Sequence, residues 1–397
     1  MNLLILGMGG VGSVIAKTLA KNNKFDTVIC ADVNEEQVNK VVQAIGRDNF
    51  RARVVNAADF DSVREAARDV DLVINAVIPR FNLIIMEACL AAGSHYIDMA
   101  SDGPVILPGR VDIFQQLALH DRFREAGLLA LCCMGVDPGV TQIFARYLAD
   151  EMDTVEEILV RDADVSEVEG YDFALYFSPD TAIEECLQPP LFYENGEFKL
   201  GDALESGVEY FDFPEPIGRR KVYAVAHEEV GTIPRNITGL KKCDFKYALS
   251  DQFVEVLKVL RLIGLDSSEP IEVKGVRIRP RDVVTSLLPN PVDLAGKVKG
   301  LACVGTLVRG TKDGRMVEKF MYTSTSHEDA YQAMQEQAVS YQTGIPVAVA
   351  AELFADGLIL ERGAITADQL DPKPFVERLP RYGIPVVIED RSEIRSD

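Results

Sequence analysis

The segment Leu3-Leu4-Ile5-Leu6-Gly7-Met8-Gly9-Gly10-Val11-Gly12 reads as a short apolar strand running straight into a glycine-rich turn. Val11, Val14, Ile15 and Leu19 follow at helical spacing, so a helix begins where the glycines end. Each glycine answers a separate physical need. Gly7 permits a tight turn, Gly9 lets the backbone approach an anion with no Cβ in the way, and Gly12 lets the helix lie close to the strand. Gly10 and Val11 complete a loop whose N–H groups, at the positive end of the helix, form an anion site. Asp32, twenty residues beyond Gly12, ends a second strand-like run, where a carboxylate can accept hydrogen bonds from both hydroxyls of an adenosine ribose. Together these features imply a pyridine dinucleotide. No Lys or Arg follows in Asp32-Val33-Asn34-Glu35-Glu36, and an acid there repels a 2′-phosphate, so NAD is expected in preference to NADP.

Working outward, strand-like runs at Leu3–Leu6, Thr27–Ala31, Ala52–Asn56, Leu72–Ala76, His95–Asp98 and Leu128–Cys132 alternate with helical patterns. That alternation predicts an α/β architecture, a Rossmann doubly wound parallel sheet. Asp59, after the third strand, stands where it can reach an adenine amino group. Ala76 and Pro79, after the fourth, would border the nicotinamide half. Ordinary strand-end hydrogen bonding is the alternative for these positions. The pattern changes after Cys133, which sets a first domain at residues 1–133. Residues 134–326, with scattered strands and Pro/Gly-rich turns, suit a second, mixed α+β domain for substrate binding and dimerisation. From 327 to 397 the chain reads as helical, with helices at Tyr331–Tyr341 and Ala348–Ala355 and a charged tail, Glu389–Asp397, expected to fray.

At 397 residues the chain exceeds the roughly 250–300 at which one core stops growing, so more than one domain is expected. With 62 acidic against 41 basic residues the formal net charge is −21, which repels nucleic acid and anionic membranes and points to a small-molecule partner. The start of the chain lacks the basic segment of a signal peptide, and the apolar stretch Ile345–Leu360 is broken by Glu352 and Asp356. Seven cysteines without a CxxC pair read as buried thiols in a reducing, cytoplasmic compartment, and four histidines without metal spacing suggest no metal site.

Hydride transfer to or from a nicotinamide needs a substrate carbon held against the ring, an acid or base for the reacting heteroatom, and donors for any substrate carboxylate. Asp137, between a strand and a helix start, is the first choice for a group at the reacting atom; capping that helix is its alternative role. Asp98 and Tyr96 at the end of the fifth strand are further candidates, with a structural hydrogen bond as the alternative. His227 can shuttle protons near neutral pH or simply pack. Arg80 and Arg235 are candidates for bidentate capture of a carboxylate.

Seven segments in order, Asn75–Pro79, His95–Asp98, Met134–Thr141, Phe177–Glu184, Tyr193–Phe198, His227–Arg235 and Ser340–Pro346, resemble the saccharopine dehydrogenase-like family. That family takes in saccharopine reductases, lysine 6-dehydrogenases and carboxynorspermidine dehydrogenases. The resemblance implies a homodimer in which a C-terminal helical segment returns to the nucleotide domain. It also implies NAD(P)-dependent oxidation of a C–N bond in an amino acid or its conjugate, of the saccharopine or lysine dehydrogenase type, or the reverse reductive condensation in polyamine synthesis. Ala31-Asp32-Val33-Asn34 is closer to the lysine 6-dehydrogenase pattern, whereas Gly239–Asp251 and Ser340–Pro346 look more like the carboxynorspermidine and saccharopine enzymes. The substrate stays open between an amino acid and a polyamine-type amine. A non-catalytic NAD-binding sensor is the reading from a different class.

Overall fold

The computed structural model describes residues 1–104, 111–175 and 178–392 of the chain. Its first six strands are β1 (Asn2–Leu6), β2 (Thr27–Asp32), β3 (Phe50–Val54), β4 (Leu72–Asn75), β5 (His95–Asp98) and β6 (Leu129–Cys132). They lie in one parallel sheet in the order β3-β2-β1-β4-β5-β6. β1 sits in the middle, and Leu3, Leu4, Ile5 and Leu6 are all buried because helices cover both faces. The winding reverses between β1 and β4, which opens a crevice at the carboxyl ends of the strands. Leu6 pairs with both Ala31 and Asn75, so Gly7, Asp32 and Ala76 emerge along the same edge.

The second sheet begins with the fifteen-residue strand β7 (Thr154–Val168). β8 (Leu191–Glu194), β9 (Glu197–Leu200), β10 (Glu209–Asp212), β11 (Arg219–Ala224) and β12 (Lys242–Ala248) follow, and β13 (Ile271–Val273) with β14 (Val276–Ile278) forms a separate hairpin. The long antiparallel pair β15 (Val298–Lys312) and β16 (Arg315–Ser326) completes the sheet's centre, leaving β17 (Gly363–Thr366) and β18 (Val387–Asp390). The order is β10-β11-β12-β7-β15-β16-β18, with β8 on β12 and β9 on β8. β12 and β7 run parallel and their neighbours antiparallel, so the sheet is mixed as expected. The helix Val140–Ala149 is wedged against this sheet, where Thr306 Oγ1 donates to Thr141 O at 2.8 Å. One continuous apolar cluster runs from Leu3 and Ile5 through Ile143 to Val160 and Val304, so the sheets share a core.

After His327 the chain departs from the helical expectation. β17 adds a seventh strand to the parallel sheet beside β6, and β18 adds to the mixed sheet beside β16. β17 is only four residues long and opens on Gly363 at φ +111°, too short a run for periodicity to register. The tail is not frayed at its start, because Arg391 N donates to Glu318 O and Ser392 Oγ accepts from Glu318 N. Residues 393–397 of that tail, and Phe177 of the quoted segments, lie outside the described residues. The expected helix Tyr331–Tyr341 is broken at Gln335, φ +59°, and a single helix, Ala338–Ala355, runs on through Pro346. That helix crosses Gly10–Leu19 so closely that a Cβ on Gly344 would lie 2.8 Å from Val14 Cγ1. Among the described residues no helix is long and apolar enough to cross a membrane. β3 is shifted two residues earlier than expected, and it ends at Val54 because Asn56 turns the chain by accepting from Ala58 N. All seven cysteines are free and buried.

Candidate active site

The glycine turn has the geometry its residues imply. Gly7 holds φ +93°, and a Cβ on Gly12 would fall 1.8 Å from Gly7 O. Gly9 is the N-cap of the helix Gly10–Leu19 and supplies no side-chain cap, so first-turn N–H groups remain available. A Cβ on Gly9 would meet nothing within 4 Å, leaving a space at the positive helix end that suits a diphosphate. Asp32 Oδ2 accepts from Met8 N at 2.8 Å and Gln37 Nε2 donates to Met8 O at 2.8 Å, clamping the loop. Ser340 and Glu336 of the returning segment close over Gly10, where a Cβ would lie 2.6 Å from Ser340 Oγ. Burial raises the Glu336 carboxyl, opposed by Lys17 3.8 Å away, which lessens the charge it sets against an anion. Asp59 instead caps the helix Phe60–Ala67, accepting from Asp61 N at 2.9 Å and Ser62 N at 3.1 Å.

From this turn a cavity of about 890 Å³ extends between the two sheets, with Gly10, Val11, Ala76 and Pro79 at its nucleotide end. Asp137 enters it from the loop after β6. The helix beyond that loop is capped by Gly139, φ +131°, and not by Asp137, whose carboxyl instead shares a hydrogen bond with Asp162 of β7. Burial pushes Asp137 up to about 7 and raises Asp162 well above the usual carboxylate range, so the pair holds a proton at neutral pH. Glu185, from the helix Pro179–Leu187, also faces the cavity and is pushed up to about 8, again by burial.

His227 follows β11 and stacks flat on Phe245 of β12, ring centroids 3.7 Å apart. Its Nδ1 is bonded to Glu229, which also accepts from Thr141 Oγ1 at 2.7 Å. Burial alone would lower this imidazole. The charge and hydrogen bond of Glu229, with the charges of Glu228 and Asp137, outweigh it and raise it well above its ordinary value. Ligand atoms of His227, Glu228 and Glu229 lie within 4.8 Å of one another, a grouping able to hold a cation that histidine spacing did not signal. All three members are engaged, His227 and Glu229 by each other, Glu229 also by Thr141, and Glu228 by Ser101 N at 2.7 Å and Ser101 Oγ at 2.9 Å.

Asp98 is part of the cavity wall and Tyr96 lies behind it, joined in one network. Tyr96 is fully buried and does not reach the cavity; its hydroxyl donates to Asp98 Oδ2 at 2.7 Å and accepts from Asn75 Nδ2 at 2.9 Å. Gln116 Nε2 adds a 2.6 Å bond to Asp98 Oδ2, while Oδ1 accepts from Cys133 N at 2.6 Å. Burial raises Asp98 to about 7 against these bonds. Asp98 thus holds Cys133 at φ +60° and aims the loop carrying Asp137. The two arginines do not line the cavity. Arg235 stacks 4.3 Å over Phe114 and donates to Gly231 O, and Arg80 is exposed beside Phe81, so the expectation that they capture a carboxylate there is corrected. Sequence reasoning passed over Asp162, Asp164, Glu185 and Tyr247. Its one available signal was the alternation Asp162-Ala163-Asp164-Val165-Ser166, acids on one face of a strand.

Residues 3–131 match the family described as saccharopine dehydrogenase NADP binding domain, and residues 135–384 the saccharopine dehydrogenase C-terminal domain. The chain belongs to the saccharopine dehydrogenase family. It is an oxidoreductase of a family of NAD(P)-dependent dehydrogenases that act on amine and amino-acid substrates. It is 35% identical to a carboxynorspermidine synthase of Vibrio cholerae over 97% of this chain and 96% of that one. Identity to a carboxyaminopropylagmatine dehydrogenase of Synechocystis is 30%, covering 96% of both chains. The solved saccharopine dehydrogenase (L-Glu forming) of Saccharomyces cerevisiae shares the fold at TM-score 0.74 and 15% identity, covering 98% of this chain and 99% of that one.

In this member of the saccharopine dehydrogenase family the cavity is strongly acidic. Asp98, Asp137, Asp162, Asp164 and Glu185 line it, and Glu167, Asp172 and Glu336 add three more carboxyls. No Lys or Arg lines it among the described residues, and His227 is the one side chain there able to carry positive charge.

Proposed function

We propose that the protein makes a C–N bond by reductive coupling of a polyamine-type amine to a carbonyl carbon, or runs the same reaction in reverse. The observation that carries this reading is the acidic lining. A cavity with eight carboxyls and no Lys or Arg among the described residues favours an ammonium-bearing substrate, whose charge draws protons off those acids, over a multiply carboxylated one such as saccharopine. The names of the two relatives, both carboxylated amines, agree with it. Lysine or saccharopine oxidation remains the alternative within the same chemistry.

In the coupling direction one ammonium, one aldehyde, one hydride and one proton become a secondary ammonium and water. A bound nicotinamide supplies the hydride. Asp137 and Asp162 together take a proton from the ammonium nitrogen, freeing its lone pair to attack the carbonyl carbon. The His227 imidazolium, held by Glu229, gives a proton to the carbonyl oxygen and regains one from the added nitrogen, and the acid pair returns its own as that oxygen leaves as water; the iminium so formed accepts the hydride, and the resulting amine takes the one proton consumed from solvent. A carboxylate on the aldehyde partner would lie toward His227. Tyr96 and Asp98 serve as positioning residues for the Asp137 loop.

For the cofactor we favour NAD over NADP, on the Asp32 carboxylate at the end of β2 and the absence of Lys or Arg in residues 33–36. Residues 1–133 with the returning segment would hold it, and residues 134–326 would supply the amine site and a dimer interface. A cytoplasmic homodimer completes the proposal, and the buried free thiols suit a reducing compartment.

The test follows NADH and NADPH absorbance with carboxynorspermidine, saccharopine and lysine offered separately in the oxidative direction, and with diamines plus a carboxylated aldehyde in the reverse. Turnover of the polyamine-type substrates is expected. Turnover of saccharopine or lysine alone would move the assignment to amino-acid oxidation, and cofactor binding without turnover would favour the sensor.

A further inference from the structure

We infer that the β13–β14 hairpin and the helix Pro280–Leu287 beside it form the surface on which a second copy of this chain docks, apolar face to apolar face about a two-fold axis. This gives the homodimer proposed above its contact surface and rests on that part of the reading.

The hairpin is built from its turn. Lys274 at φ +50° and Gly275 at φ +84° take the left-handed pair of a two-residue turn whose twist matches the strands it joins. Register pairs Ile271 with Ile278, Glu272 with Arg277 and Val273 with Val276. Side chains alternate along a strand, so the four apolar residues share one face and the charged pair takes the other. Among the described residues the two strands pair only with each other, and an isolated hairpin is marginal in water unless its apolar face is covered. The chain's own fold leaves much of that face open, with Ile271, Val273 and Val276 exposed by 49%, 41% and 61%.

The helix Pro280–Leu287 extends the same surface. Pro270, Ile278, Val283 and Leu287 line one groove, which sets the exposed side chains of Val283 and Leu287 beside the hairpin. On its inner side this helix is firmly seated, because buried Arg281 is bonded to Glu184 of the helix Pro179–Leu187 and lies 3.7 Å from Asp180. The outer face is therefore held as a fixed surface. Its apolar residues expose on the order of 500 Å², a patch of the size that marks an interaction site. Each partner in a standard stable interface gives about 800 Å², roughly 60% of it apolar, so the patch supplies what one side of a dimer needs.

Charge selects the occupant. Residues 251–288 hold six acidic and six basic side chains, so this unit is neutral in a chain of net charge −21. Two such chains repel each other over most of their surfaces, and here that repulsion is relieved. Charges of both signs border the face, Lys274 at the tip of the hairpin and Arg279 with Asp282 along the groove, as a self-complementary contact requires. A strongly charged partner would find no opposing field on this surface.

The experiment measures the mass of the cofactor-loaded full chain by sedimentation velocity and light scattering over a wide range of concentration. The wild type should have twice the 43.7 kDa mass of one chain. Val273→Glu and Leu287→Glu each bring a charge onto the apolar face from both copies and should weaken association by about a hundredfold or more. Leu360→Glu, at a position 74% exposed but outside the face, should leave it unchanged. Val276→Cys adds an exposed thiol to seven buried ones, so a short bis-maleimide should join its copies, and Leu360→Cys should stay single. Dimers that survive both glutamate variants, with no cross-link at Val276→Cys, would overturn the inference and leave the homodimer reading standing on another surface. A wild type of single-chain mass at every concentration would overturn both and give the face to a different partner. Thermal melting shows that the glutamate variants stay folded, and the cross-link tests the surface independently of them.

Discussion

Replacing Gly9 by alanine separates cofactor binding from folding. In the folded protein Gly9 has φ −70° and ψ −164°, a conformation alanine adopts, and the added Cβ meets no atom within 4 Å. The small loss of N-cap preference and the small gain from a less flexible unfolded chain nearly cancel, so stability should change by less than about 1 kcal/mol. A diphosphate seated on the first-turn N–H groups would meet that methyl. Overpacking of one carbon into a tight contact costs about 1–3 kcal/mol, so NADH affinity should fall roughly five- to hundredfold. Gly12→Ala reverses the pattern. Its Cβ would lie 1.8 Å from Gly7 O, far inside the 3.0 Å that real contacts respect, so the helix must retreat and the melting temperature should drop by several degrees. Fluorescence titration with NADH and differential scanning calorimetry on both variants give the answer. A Gly9→Ala protein that binds NADH as tightly as the wild type would refute the placement of the diphosphate.

Asp32→Ala should weaken NAD and improve relative use of NADP; unchanged selectivity in steady-state kinetics would count against the role given to that carboxylate. Asp137→Asn should lower kcat by about 10²-fold or more while cofactor affinity stays within a few fold, and equal losses in both would mark a folding role. Asp98, Asp137 and Glu185 hold protons to about 7, 7 and 8 in the folded chain, well above their unfolded values. Their stabilisation is therefore complete only below the unfolded values near 4 and is lost progressively as pH rises from there through 7 to 8, so the melting temperature without substrate should fall from about pH 4 to about 8 and level off above. Diamine binding should release protons from the same groups, seen as a buffer-dependent heat in calorimetry; a buffer-independent heat would show that the acids are already ionised.

The nucleotide half was legible because its signals are local. Gly7, Gly9 and Gly12 fall where a backbone turn demands them, and the buried parallel strands β1, β4 and β6 are apolar runs that any sequence reading finds. β17 and β18 escaped notice because four-residue strands carry no period of their own; they are stabilised by pairing with β6 and β16, more than two hundred and some seventy residues away. The site divides the same way. Asp137 and His227 stood out beside glycines and prolines that break regular structure. Tyr96 stood out as well, but its role was decided by Asn75 and Asp98 closing around its hydroxyl. Arg80 and Arg235 have the right chemistry for a carboxylate and the wrong location.

From sequence alone came the parallel α/β half, the family and the anion site at the first helix, since each depends on residues within a few positions of one another. The tertiary structure alone decided what the cavity is for. Asp137, Asp162, Asp164 and Glu185 are unremarkable acids along the chain, and only the packing of a second sheet against the first takes them out of water together. Burial then raises most of their proton affinities, and the lack of Lys or Arg among their described neighbours makes the pocket a receptor for cations.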